Sequence, residues 1–178
     1  MNIWKTVKIK KMTAEQLEKA GFKISDLAKE LLAKTTFKKE TLDLEVISVA
    51  ELGFPNGATK EQIYNRAEKR GLDLCPASVG PVLRMEYKDQ PVGEWFSIGM
   101  KPIVASGGRL RVFRVECDGD GPWLSSFYGS PGSFWGGGRR WVFLLRKQLP
   151  PKAGKSDPWP LDILPDELMI NGVKYKKR

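Results

Sequence analysis

The residues best suited to meet a ligand lie between Trp123 and Trp141, in the run WLSSFYGSPGSFWGGGRRW, which has no lysine, no acid and no long aliphatic except Leu124. Aromatic rings alternate with serine and glycine, and Arg139 and Arg140 close the stretch. Tyr, Trp and Phe offer large contact area with few rotamers to freeze, while Ser and Gly adapt around them, as in antibody paratopes. The chemistry implied is recognition. Ser125, Ser126, Phe127, Tyr128, Ser130, Ser133, Phe134, Trp135, Arg139 and Arg140 are the expected ligand-binding residues. Phe127, Tyr128, Phe134 and Trp135 would anchor, since buried rings are where hot-spot energy concentrates. Six rings in one segment cannot all face water without making an apolar patch of the kind that marks an interaction site. The outer tryptophans, Trp123 and Trp141, are therefore expected in the core. The alternative for the whole segment is a Gly-rich connection between two strands, although connections this long without structure of their own are uncommon and tend to be functional.

Bond-making chemistry has little to work with. The chain has no histidine, which removes the commonest general base and the commonest metal ligand. Cys75 and Cys117 have no CxxC spacing. These absences argue strongly against a zinc site, a Ser-His-Asp triad or a Cys-His dyad; a carboxylate- or lysine-based enzyme is the alternative, with no positive support, and no catalytic residue, metal ligand or cofactor is expected: the chain reads as a non-enzyme. Gly136–Gly138 followed by two arginines is not a Walker loop, because no Lys-Ser or Lys-Thr follows and the segment leads into a strand. Asp118-Gly119-Asp120-Gly121 lacks the spacing and terminal Glu of a calcium loop and reads as a hairpin turn.

The elements that must position the aromatic segment follow from pattern. At 178 residues, 41% hydrophobic and 29% charged, the chain fits one globular α+β domain with extensions. Residues 41–147 are expected to form the core domain with an antiparallel sheet and a binding loop over 123–141, 1–40 a basic helical extension, and 148–178 a proline-containing linker and hairpin. Thr13 with Gln16, and Thr59 with Gln62, are capping boxes that start helices ending near Gly21 and Gly71. A further helix is expected over 25–33, making a helical hairpin with the first. Leu42–Ala50, Glu94–Ile103, Arg109–Cys117 and Arg140–Arg146 read as strands. Gly80-Pro81 would interrupt any long helix over 77–87. Asn171-Gly172 between two short strand-like runs is a strong hairpin signal.

Net charge is +9. Residues 1–40 hold ten lysines against five acids and residues 147–178 seven basic residues against four acids, so the excess sits at the ends. Such ends usually keep a protein soluble, and a protein or other macromolecule is the expected partner. The alternative is a nucleic-acid-binding protein, with residues 59–87 as a helix-turn-helix carrying Arg84, the basic ends as arms, and Arg109, Arg111 and Arg114 on one exposed strand face. No apolar run approaches the ~20 residues of a membrane span. The amino terminus, MNIWKTVKIKKM, is not followed by the features of a secretory signal, so the expected location is cytoplasmic.

The aromatic and Ser/Gly-rich stretch near the carboxy terminus, its tryptophans and the strand that follows resemble the bacterial variable proteins of diversity-generating retroelements. That resemblance implies a C-type-lectin-like fold with a hypervariable ligand-binding surface. Variation there arises at template adenines, which reach Ser, Gly, Phe, Tyr and Arg from an Asn codon but leave Trp unchanged. Trp123, Trp135 and Trp141 would be the constant frame, and the serines, glycines, Phe127, Tyr128, Phe134, Arg139 and Arg140 the variable positions.

Overall fold

The computed structural model describes residues 2–147 and, as backbone strands alone, residues 167–170 and 173–176. Met1–Arg146 forms one compact unit and Lys147–Arg178 a second. In the first unit β1 (Lys5–Lys8), α1 (Ala14–Lys19), β2 (Lys23–Ile24) and α2 (Asp26–Ala33) precede β3 (Thr41–Ser48). Then come β4 (Ala58–Thr59), α3 (Lys60–Lys69), β5 (Leu72–Asp73) and α4 (Val79–Glu86). The chain finishes in strands: β6 (Trp95–Ile98), β7 (Ile103–Val104), β8 (Leu110–Asp118), β9 (Gly121–Tyr128), β10 (Phe134–Trp135) and β11 (Arg140–Leu145).

The class is α+β, built on a curled and mostly antiparallel sheet. Its strand order is β1-β3-β11-β6-β8-β9-β2, with β5 also on β11 and β7 on β8. Two pairings, β6 with β11 and β2 with β9, are parallel. Both expected capping boxes form: Thr13 Oγ1 accepts from Gln16 N at 3.2 Å while Gln16 Oε1 accepts from Thr13 N at 2.9 Å, and Thr59 and Gln62 repeat the exchange. Gly21 and Gly71 follow their helices with φ of 89° and 80°.

Three expectations change. α1 and α2 are not a free-standing hairpin: β2 separates them and pairs with β9, so the first forty residues supply β1 and β2 to the sheet. The run 94–103 breaks into β6 and β7 around Gly99, whose backbone has the Phe143 ring packed against it. Gly80 and Pro81 lie inside α4, in its first turn, where a residue has no intrahelical hydrogen bond for proline to remove.

Side-chain alternation assigns the sheet two faces. Ser97 pairs with Arg114, Arg114 with Ser125, and Ser97 with Trp141, so Trp95, Arg114, Glu116, Trp123, Ser125, Phe127, Trp141 and Phe143 share a front face. Phe96, Phe113, Val115, Leu124 and Val142 point to the back, where α2 and α4 pack against β8 and β9 and bury these residues fully. α4 comes close enough that Gly80 lies against the Phe113 ring. α3 lies on the front, with Tyr64 edge-on to Trp141 at 5.5 Å and to Phe143 at 5.8 Å. Rings of this size each bury on the order of 150–250 Å², worth a few kcal/mol apiece. That cover lies over β11.

α3 and α4 therefore lie on opposite faces of one sheet with β5 between them, and Arg84 is wholly buried. Residues 59–87 are not a helix-turn-helix. Arg84 instead donates from Nη1 to Gln90 Oε1 at 2.5 Å and to the carbonyls of Glu116 (3.1 Å) and Trp123 (3.5 Å), and from Nη2 to the Tyr87 carbonyl. Both terminal nitrogens of this buried guanidinium thus find acceptors, while its Nε has none among the described residues.

In the second unit β12 (Glu167–Ile170) pairs antiparallel with β13 (Val173–Lys176), Ile170 opposite Val173. Asn171-Gly172 and the prolines of the expected linker lie outside the described residues. Among the described residues no helix is long and apolar enough to cross a membrane.

Candidate functional site

Among the described residues no helix covers the front face over β6, β8 and β9, and the centre of that face is Trp95. Trp95 opens β6 opposite Glu116, which places Arg114, two residues before Glu116, beside the indole. The Arg114 guanidinium carbon stands 4.1 Å from the Trp95 ring centroid and 5.2 Å from that of Phe127. Glu116 fixes this arginine by an ion pair and is itself held by Ser125, whose Oγ donates to Glu116 Oε1 at 2.5 Å. A second guanidinium, Arg139, lies 4.4 Å from the same Trp95 centroid.

Arg139 comes from the Gly136–Gly138 turn, and that turn is docked. Ala50 N donates to the Gly137 carbonyl at 2.8 Å and Val49 N to the Arg139 carbonyl at 2.9 Å. The Pro55 carbonyl occupies the space a Cβ at residue 137 would need. Gly137 thus lets two backbones meet.

Together these elements enclose a cavity of ≈ 480 Å³ walled by Trp95, Arg114, Phe127, Phe134, Trp135 and Arg139. Phe134, 67% exposed, forms its lip. A smaller cavity of ≈ 150 Å³ shares Trp95 and Arg139 and is completed by Gly93, Gly138 and Arg140.

The electrostatics are uneven. Burial draws the Arg114 pKa below its ordinary value; Glu116 opposes the shift and Arg139 adds to it. The guanidinium stays charged at neutral pH, because its ordinary value is so high. Arg140 is paired with Glu94 at 2.9 Å, and Tyr87 Oη donates to the other oxygen of Glu94 at 2.7 Å. Burial and Glu94 push the Tyr87 phenol up to about 12. Among the described residues Arg139 has no ion-pair partner. The Arg114 Nε and Trp135 Nε1 donors are buried without an acceptor among the described residues.

The structure corrects the expectation of a long loop over 123–141. Trp123–Tyr128 belongs to β9, in a hairpin with β8 that turns at Asp118–Gly121. Of the ten expected residues, Phe127, Phe134, Trp135 and Arg139 converge on the larger cavity, Tyr128 stands at its rim against Phe127, and Arg140 serves the smaller one. Ser125 touches Glu116, as described. Trp135, expected as a projecting anchor, is only 3% exposed and lies on Trp141 at 4.6 Å, so it is floor. Ser126 projects to the back of the sheet and Ser130 lies in the turn that follows β9; Ser133 uses its carbonyl to accept from Lys60 N at 2.8 Å. Trp141 is core, as expected, whereas Trp123 is half-buried and donates from Nε1 to Asp118 at 3.2 Å. Arg111 and Arg114 fall on opposite faces, so the expected single basic strand face does not form.

Trp95 and Glu116 were not foreseen. The alternation in Glu94–Ile98 marks a strand, but only the placing of β6 beside β8 brings Trp95 to Arg114. Among the described residues no group of three or more His, Cys, Asp or Glu is placed to hold a metal ion. No protein-family model, curated protein or solved structure matches the chain, and none of these comparisons links it to the retroelement variable proteins or to the C-type-lectin-like fold.

Proposed function

We propose that this protein is a non-catalytic recognition module that takes its macromolecular ligand on the open half of the front face. The observation that carries this reading is the pair of guanidiniums, Arg114 and Arg139, set over Trp95 beside Phe127 in a cavity of ≈ 480 Å³. Exposed aromatic surface of this kind is retained where something covers it. Arginine planes over rings add attraction for a planar or anionic group. Glu116, a carboxylate on that surface beside Trp95, is occupied by Arg114 and Ser125, which suits a positioning role and not proton transfer.

The planar aromatic anion 8-anilinonaphthalene-1-sulfonate probes such a surface directly. Its fluorescence should rise with the native protein and fall sharply with the Trp95→Ala/Phe127→Ala double variant, each ring contributing on the order of 2 kcal/mol. An unchanged titration with the folded double variant refutes the assignment.

A further inference from the structure

Resting on that reading, we infer that the occupant of the open face is single-stranded nucleic acid, with one nucleotide straddling Trp95: its base in the larger cavity, its phosphate in the smaller. The two cavities meet at Trp95 and Arg139, and their linings differ in kind. The larger is walled by rings and the Arg114 plane. Bases freed from pairing stack on such surfaces whatever their identity. The smaller offers two arginines and two glycines, so an anion can approach without meeting an apolar side chain other than the indole edge.

Charge points the same way. Arg114 is balanced by Glu116 and Arg140 by Glu94, but Arg139 has no such partner among the described residues and works against the charge of Arg114 over the same indole. A phosphate beside Arg139 removes that repulsion. A duplex cannot present base faces, and α4 does not serve as a recognition helix, since its Arg84 is buried. The net charge of +9 draws polyanions toward the molecule.

The test uses the full chain and fluorescein-labelled dT20 and rU20, followed by anisotropy over a salt series, with a duplex of equal length alongside. Both single strands should bind more tightly than the duplex, quench tryptophan fluorescence, displace the naphthalene sulfonate, and weaken steeply as salt rises. The ratio of rU20 to dT20 affinity reads whether the sugar hydroxyl is sensed. Trp95→Ala should weaken binding on the order of ten-fold or more, and Arg139→Glu, an exposed change that leaves the core alone, by at least as much. Lys10→Glu, a charge reversal beyond β1, is the control and should have a much smaller effect. Equal losses for Lys10→Glu and Arg139→Glu would show diffuse attraction and overturn the inference. Displacement of the dye by the acidic copolymer of glutamate and tyrosine, but not by either oligonucleotide, would leave the recognition surface standing and make its occupant a protein. Failure of the dye itself to bind would remove both.

Discussion

The front face of the sheet carries aromatic rings across its whole width, yet its two halves keep different company. Over β11 the rings meet one another: Trp141 lies 4.6 Å from Trp135, 5.5 Å from Tyr64 of α3 and 6.3 Å from Phe143. Over β6, β8 and β9 no helix among the described residues arrives on this side, and the rings of Trp95 and Phe127 meet guanidinium groups instead. Residue type alone does not separate core from site. What separates them is whether another element closes over the strand, and the same indole is structural in one half and available in the other.

If this contrast is real, truncations should divide along it. The largest effect is expected in the covered half: Trp141→Ala leaves a cavity in a fully buried cluster and should lower unfolding free energy by about 3–5 kcal/mol in urea titrations. Next comes Arg84→Met. It leaves the Tyr87, Glu116 and Trp123 carbonyls unmet behind the open half, for a loss of about 2–3 kcal/mol by the same measurement. Trp95→Ala should change stability by only about 1 kcal/mol, because partly exposed cation–π contacts are weak, while abolishing dye binding. A stability loss as large as that of Trp141→Ala would erase the distinction between the halves.

The smallest effect concerns the turn on which Arg139 is hung. Ser48 N and Oγ hold the Glu51 carboxylate below its ordinary pKa. A carboxylate depressed in the fold stabilises above its unfolded value, and that contribution disappears as pH falls through the depressed value. Glu51→Gln should therefore cost less than about 1 kcal/mol at pH 7, since the side chain is largely solvated, and the difference from wild type should vanish in strong acid.

Local signals carried the helices and the long strands. Thr13 and Thr59 announce their helices because a capping box needs only residues three apart. β3, β8 and β11 show the alternation or apolar run of a strand. The two-residue strands β2, β4, β5, β7 and β10 leave no such trace, because they exist only through partners far along the chain: Lys23 pairs with Trp123, and Phe134 with Thr59. The aromatic segment supplied three residues that line one cavity, Phe127, Phe134 and Arg139. It could not supply Trp95, which lies 28 residues before Trp123, nor say that Ser126 and Phe127 face opposite ways, which depends on Trp123–Tyr128 being a strand and not a loop. Pro81 was misleading for a positional reason: the same residue breaks a helix interior and is tolerated in its first turn.

Arg84 grips main-chain oxygens of Glu116 and Trp123 from behind, and so is blind to whatever projects forward from those strands. Residues 95, 114, 125 and 127 can be exchanged without that clasp registering the change. A backing that ignores the lettering in front of it lets that face change at constant architecture, and makes this molecule a ready plate for engineered surfaces.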